Sequence, residues 1–144
     1  MSQQLKGSVN LIIHNDKGEL LFGRRANTGW KDGWLSLFGG HIEDGETPTQ
    51  AAIREAKEEL DMDLAAEDLS FICAAPRNVQ PMNYVAYVFM IDGDKHPHKN
   101  NEPEKCTALE WHDPENLPEQ VIEDFVEIIQ DGYLANVPYV EIGY

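Results

Sequence analysis

The chain has 144 residues, enough for one domain (1–144) with a real hydrophobic core. Its 42% apolar content suits a globular protein, and it contains no apolar run of 18 residues that would suggest a membrane span. The formal charge of −15 excludes a basic surface of the kind that neutralises nucleic-acid phosphates. After Lys105 no Lys or Arg occurs, while nine Asp and Glu follow. Solubility accounts for most of that acidity. A polyanionic substrate stays compatible with it if metal ions and a few local arginines offset the field. The opening "MSQQLKGSVN" has no apolar h-region, so no secretory signal is expected and the cytoplasm is the expected location. Cys73 and Cys106 lack CxxC or zinc-ligand spacing and read as reduced thiols.

In chain order, "GSVNLIIH" (7–14), the turn "NDKG" (15–18) and "ELLFGRR" (19–25) predict a β-hairpin. "ANTGWKDG" (26–33) is a loop. "WLSLF" (34–38) predicts a short strand ended by Gly39 and Gly40. A helix then follows with clear start signals: Thr47 as N-cap, Pro48 at the first position and Gln50 completing a capping box. It should run to about Leu60. "LSFICAA" (69–75) and "YVAYVFMI" (84–91) predict strands, the second central because it is almost continuously apolar. A polar loop spans 92–104, and "CTALEW" (106–111) is another strand. "LPEQVIEDFVEIIQDG" (117–132) predicts an amphipathic helix with Val121, Ile122, Phe125, Ile128 and Ile129 inward and Gly132 at its end. The order describes an α/β or α+β domain with a mixed central sheet between helices.

The helix at 48–60 holds the candidate metal-binding residues. At about 100° per residue, Ala52, Ile53, Ala56 and Leu60 share one side, and Glu55, Glu58 and Glu59 the other. The three carboxylates stand at i, i+3 and i, i+4, close enough to share one ion. Oxygen-only ligands favour Mg²⁺, Mn²⁺ or Ca²⁺. A solvated acidic face partnered by Arg54 and Lys57 explains the same residues. An EF-hand does not, because "DMDLAAEDL" lacks the turn glycine and the terminal glutamate.

The preceding loop adds Gly39, Gly40, Gly45 and Glu46. Gly40, Glu46, Arg54, Glu55, Ala56, Glu58, Glu59, Asp61 and Met62 together resemble the Nudix box, a 23-residue signature, and the flanking elements resemble the Nudix α/β/α sandwich over nearly the whole chain. Three positions depart from the pattern. Asp61 replaces the usual terminal Gly, Ala56 fills a bulky apolar position, and Phe38 stands where many relatives have Pro. None removes a carboxylate.

The resemblance implies a metal-dependent pyrophosphohydrolase acting on a nucleoside diphosphate linked to another moiety. The compact size is similar to the MutT-type branch, which implies a (d)NTP or an oxidised nucleotide as substrate. Nucleotide sugars, ADP-ribose, dinucleoside polyphosphates and a non-catalytic nucleotide-binding module are the alternatives. The implied cofactor is Mg²⁺, with Mn²⁺ as a substitute. Glu55, Glu58, Glu59 and the Gly39 carbonyl are the implied metal ligands. Arg54 is implied to orient a box glutamate, and Glu46 to fix the loop. The general base is a box glutamate or one from loop 92–104, where Glu102 ranks before Glu104; His96 and His98 are weaker candidates. Arg24, Arg25 and Gly40 are placed for phosphate contact. Trp30 or Trp34 could stack on a base, with Asn78, Tyr84 and Gln120 as base-edge candidates. The implied partner is a small nucleotide, with no nucleic acid or membrane, bound by a monomer or homodimer.

Overall fold

The computed structural model describes residues 5–79 and 82–144. The N-terminal reading extends over residues 1–4, which lie outside them. Strands β1 (Leu5–His14), β2 (Leu20–Arg25), β3 (Leu35–Ser36), β4 (Phe38–His41), β5 (Ser70–Val79), β6 (Met82–Asp92) and β7 (Cys106–His112) form one mixed sheet. Helix α1 (Pro48–Leu60) covers one face. Helix α2 (Glu123–Glu127), continued by a wider π-type segment (Ile128–Leu134), covers the other. A 3₁₀ turn (Ala66–Asp68) precedes β5. No helix among the described residues is long and apolar enough to cross a membrane.

Alternation along β1 explains the two-sided core. Val9, Leu11 and Ile13 face Ala51, Ala52, Ala56 and Leu60 of α1, while Ile12 joins Phe125, Ile128 and Ile129 on the opposite side. Strand β6 runs parallel to β1 and antiparallel to β5. It contributes Phe89 and Ile91 to one cluster and Ala86 and Val88 to the other. Burial on both faces is what its continuous apolar run requires.

The expected hairpin is made at its turn but does not continue. Gly18 takes φ +76°, and the Asn15 side-chain oxygen accepts from Lys17 and Glu19 N–H. Beyond the turn, β1 and β2 pair only at His14 and Leu20. Strand β4 takes the β1 edge instead, from Ser8–His41 to Leu11–Phe38, and β2 pairs with β7. The sheet therefore splays between β2 and β4, opening a cleft. The expected strand 34–38 is two strands broken at Leu37, one on each side of that cleft. Gly39 and Gly40 lie within β4 rather than ending it.

The second helix starts at Glu123, later than periodicity suggests, because residues 120–122 bond Leu35. Leu35 N–H donates to Gln120 O, and Ile122 N–H donates to Leu35 O. The apolar spacing still holds, with Val121, Ile122, Phe125, Ile128 and Ile129 all buried. Gly132 does not cap the helix. A Cβ there would lie 2.9 Å from Cys73 Sγ, so glycine lets the segment pass close to β5, and Ala135 ends it.

Candidate active site

Helix α1 begins as its sequence requires. Gln50 N–H donates to Thr47 Oγ1 at 3.1 Å, and Thr47 N–H donates to Gln50 Oε1 at 2.9 Å. Its end uses Asp61 in the left-handed conformation, φ 52° and ψ 35°, with the carboxylate 2.8 Å from Lys57 Nζ. The departure from Gly is thus accommodated by a residue type that tolerates this region.

The carboxylate face does not project uniformly from the sheet. Glu58 points outward, its side chain 53% exposed, while Glu55 is buried and Glu59 half-buried. The glycine pair is the cause. A Cβ on Gly40 would overlap the Glu55 carboxylate, and one on Gly39 would overlap the Val9 carbonyl. Bare backbone lets α1 press its glutamates against β4. Gly39 N–H donates to Glu59 Oε2 at 3.0 Å. Ile53, expected on the apolar side, is only half-buried.

Arg54 ties helix and loop together. Its Nε and Nη2 grip both Glu46 oxygens at 2.7 and 2.9 Å, Nη2 also donates to His41 O at 3.0 Å, and Nη1 reaches Glu55 Oε1 at 2.9 Å. Glu58 Oε2 lies 3.4 Å away. Glu46 also accepts from Glu43 N–H at 3.0 Å. Arg54 first, then that N–H, holds the Glu46 carboxyl down to about 2. Burial raises the Glu55 carboxyl against the pull of Arg54, and the charges of Glu58 and Glu102 raise it further. Burial, and then the Glu55 charge, raises Glu59 well above the carboxylate range, with the Gly39 N–H opposing.

The two directions have opposite consequences for stability. A depressed carboxyl adds stability above its ordinary 4.5 and loses it as pH falls toward 2. Glu46→Gln should therefore lower the melting temperature at pH 7 by roughly 5 °C, the scale of one lost interaction in a domain of this length. The deficit should shrink steadily below pH 4.5 in parallel thermal melts. A constant deficit down to pH 2 would show that the Glu46–Arg54 pair is not its origin.

Loop 92–104 brings a fourth carboxylate to the group. Orphan carbonyls at the C-terminus of α1 need donors. Lys99 N–H donates to Leu60 O at 2.9 Å, Asn101 N–H to Glu59 O at 3.0 Å, and Asn101 Nδ2 to Glu58 O at 3.1 Å. This latch sets Glu102 in the wall of a cavity of about 560 Å³, together with Glu55, Glu58, Glu59, Gly39 and Gly40. Glu104, His96 and His98 are not in that wall. His96 faces Asp68 at 3.7 Å, and His98 packs edge-on against Trp111.

Cations line the same cavity. Arg24 lines it but is engaged with Glu110 at 2.6 and 3.0 Å, Gly33 O and Gln120 Oε1. Gln120 is thereby committed as well. Arg25 donates to Trp30 O and Thr28 Oγ1 and lies 5.0 Å over the Trp30 ring. Lys105, which sequence reasoning passed over, also lines the cavity, and no described carboxylate pairs with its ammonium. Its one signal was its position as the last cation before a wholly acidic stretch. Trp34 packs against the core under Lys31. Asn78 bonds Gly143 O at 3.2 Å, and Tyr84 packs on His41.

The donor set suits a hard divalent cation: clustered carboxylate oxygens, two with raised proton affinity, one of them without a cationic partner among the described residues. Among the described residues no three His, Cys, Asp or Glu groups already stand in coordinating positions. Glu55 is turned to Arg54 and Glu59 to the Gly39 N–H.

A mixed sheet between two helices, with a carboxylate helix sunk beside a glycine pair, defines a Nudix-type sandwich. A family model described as the NUDIX domain matches residues 4–131, and the chain belongs to that family. It is 32% identical over 124 residues to an ADP-ribose pyrophosphatase of Methanocaldococcus jannaschii, covering 86% of this chain and 70% of that protein. It is 51% identical over 67 residues to a dihydroneopterin triphosphate diphosphatase of Escherichia coli K12, covering 45% of this chain and 42% of that protein. A match to an uncharacterized Nudix hydrolase of Listeria innocua likewise spans only 37% of that protein. A crystal structure of a MutT NUDIX hydrolase from Burkholderia pseudomallei superposes with a TM-score of 0.76 at 22% identity, over 89% of this chain and 98% of that one, which establishes the shared fold.

Proposed function

We propose that the chain is a metal-dependent pyrophosphohydrolase that cleaves the diphosphate of a small nucleotide, a (d)NTP or an oxidised nucleotide first. One observation carries this: Glu55 and Glu59 are sunk in the wall of a nucleotide-sized cavity that Glu58, Glu102, Arg24, Arg25 and Lys105 also line. Glu55, Glu58, Glu59 and the Gly39 carbonyl would hold Mg²⁺, or Mn²⁺ in its place. The ion, when bound, supplies charge neutralisation for the diphosphate and acidifies a water. Arg54 fixes the Glu55 rotamer and braces the loop through Glu46. Lys105 and Arg25 face the substrate's phosphates, while Arg24 sets the position of β2 against β7 and serves them less directly. Glu102, held by the Asn101 latch, takes the proton from the attacking water. The proposed setting is the cytoplasm, as a monomer or homodimer.

Glu102→Gln should cut kcat by about a hundredfold or more, in the range of general-base loss, with metal affinity nearly unchanged. Asn101→Ala should give a smaller loss of kcat by loosening the latch. An unchanged rate in Glu102→Gln moves the base to a box glutamate.

The relatives' names span ADP-ribose, dihydroneopterin triphosphate and 8-oxo-dGTP. The test is release of phosphate or pyrophosphate from canonical and oxidised (d)NTPs, ADP-ribose, nucleotide sugars and dinucleoside polyphosphates, each with Mg²⁺ and with EDTA. Turnover of one class well ahead of the rest, only with metal, is the expected result. No turnover of any of them, with metal binding intact, would replace the enzyme with a nucleotide-binding module.

A further inference from the structure

A second cavity of about 370 Å³ adjoins the carboxylate cavity. The two share Arg25, Ser36, Leu37, Gly39 and Gly40 as a common wall. The second lies on the sheet face away from α1, because Ser8 and Asn10 of β1 point there while Val9 and Leu11 point into the α1 cluster. Ser8 and Asn10 are each only 6% exposed. Yet Ser8 Oγ and Asn10 Oδ1 make no hydrogen bond to any described residue. Buried polar atoms are normally paired, and an unmade bond costs more than an apolar replacement. Ile12, two residues on, shows that this face accepts an apolar side chain. The sequence therefore keeps two unpaired polar groups where packing alone does not call for them.

The remaining lining says what they could pair with. Trp30 is half-exposed at the cavity, and the Arg25 guanidinium holds it from one face. An aromatic wall beside a carboxamide and a hydroxyl is the set that recognises a planar nitrogen heterocycle: the ring stacks, and the amide meets an adjacent donor–acceptor edge. Resting on the reading of the first cavity as the diphosphate site, we infer that the second cavity seats the substrate's nucleobase, with Asn10 and Ser8 reading its edge and Trp30 stacking on its face. The shared Gly39–Gly40 wall then lies between base and cleaved anhydride.

The test follows indole fluorescence while the protein, with Mg²⁺, is titrated with nucleoside 5′-monophosphates, including an 8-oxopurine, and with ribose 5-phosphate as the base-free control. Monophosphates contain no anhydride, so the readout is independent of turnover. The expected result is saturable quenching by at least one monophosphate within about 1 mM, the upper end of common KM values, and none by ribose 5-phosphate. Trp30→Leu should remove the quenching. Asn10→Ala and Ser8→Ala should each weaken binding by about tenfold or more, with melting temperatures unchanged or raised because each removes an unpaired buried group. Equal affinity in both variants overturns the proposal, as does equal response to ribose 5-phosphate, or a marked fall in melting temperature showing that the groups are structural. Base-dependent binding without turnover of any nucleotide would sink the hydrolase and leave this site standing. Turnover with unchanged KM in Asn10→Ala and Ser8→Ala would do the reverse.

Discussion

Glu59→Gln is expected to abolish metal-dependent hydrolysis, lowering kcat by about a thousandfold or more, the loss typical when a central electrostatic contributor is removed. It should at the same time raise the melting temperature of the metal-free protein. Glu59 lies against β4 with burial and the Glu55 charge both opposing its ionisation, so its native carboxyl titrates well above its unfolded value. For a raised carboxyl, stability falls as pH rises above the unfolded value, because the native state is then the poorer host for the charge. Glutamine keeps the shape and can still accept from the Gly39 N–H, but it removes the charge. A gain of roughly 1 kcal/mol would appear as about 4 °C at neutral pH in a domain of this length. The gain should fade as pH falls through 4.5, below which the wild-type group is protonated in both states. Saturating Mg²⁺ should reverse the ranking, since an ion bound only to the native wild-type protein stabilises it. Wild-type-like turnover in Glu59→Gln would show that this glutamate is not a ligand. A lower metal-free melting temperature would show that its charge is compensated in some other way.

What the sequence disclosed was mostly local. Thr47, Pro48 and Gln50 lie within one turn, so their capping box could be read directly, and Asp61 three turns later met its left-handed position. The two-sided burial of β6 followed from its unbroken apolar run. The parts that stayed hidden depend on distant backbone. Nothing near "NDKG" signals that β4 will displace β2 from the β1 edge, and without that displacement there is no cleft. Residues 120–122 have helical spacing but give their backbone groups to Leu35. A helical wheel assumes equal support all round, whereas the bare Gly39–Gly40 backbone pulls Glu55 and Glu59 inward and leaves Glu58 out. Glu102 could be named from its loop. Its placement came from Asn101 and Lys99 bonding the end of α1, a pairing across about forty residues. Ser8 and Asn10 were inconspicuous inside an apolar strand, because partnerlessness is a property of three-dimensional surroundings.

The glycine pair separates fold from chemistry, and two alanine substitutions should show it. Gly39 has φ +151°, and an added Cβ would overlap the Val9 carbonyl, a backbone group locked in the β1–β4 ladder. It can yield only by parting the strands. Gly39→Ala should therefore cost roughly 3 kcal/mol, the upper end of overpacking penalties, and lower the melting temperature by about 10 °C. At Gly40 the added Cβ would overlap only the Glu55 carboxylate, the far end of a flexible side chain, with Cδ at 2.7 Å. Glu55 can swing aside, so Gly40→Ala should change stability by less than about 1 kcal/mol. The displaced carboxylate leaves both Arg54 and its place beside Glu59. A shift of about 1 Å at a reacting centre costs on the order of a hundredfold in rate, and kcat should fall by that much with the fold intact. Thermal melts and kcat on the two variants together decide the matter. Loss of stability in Gly40→Ala equal to that in Gly39→Ala would mean that both glycines serve the sheet alone. Wild-type kcat in a stable Gly40→Ala would mean that the position of Glu55 does not matter to turnover, and the ligand set would have to be redrawn without it.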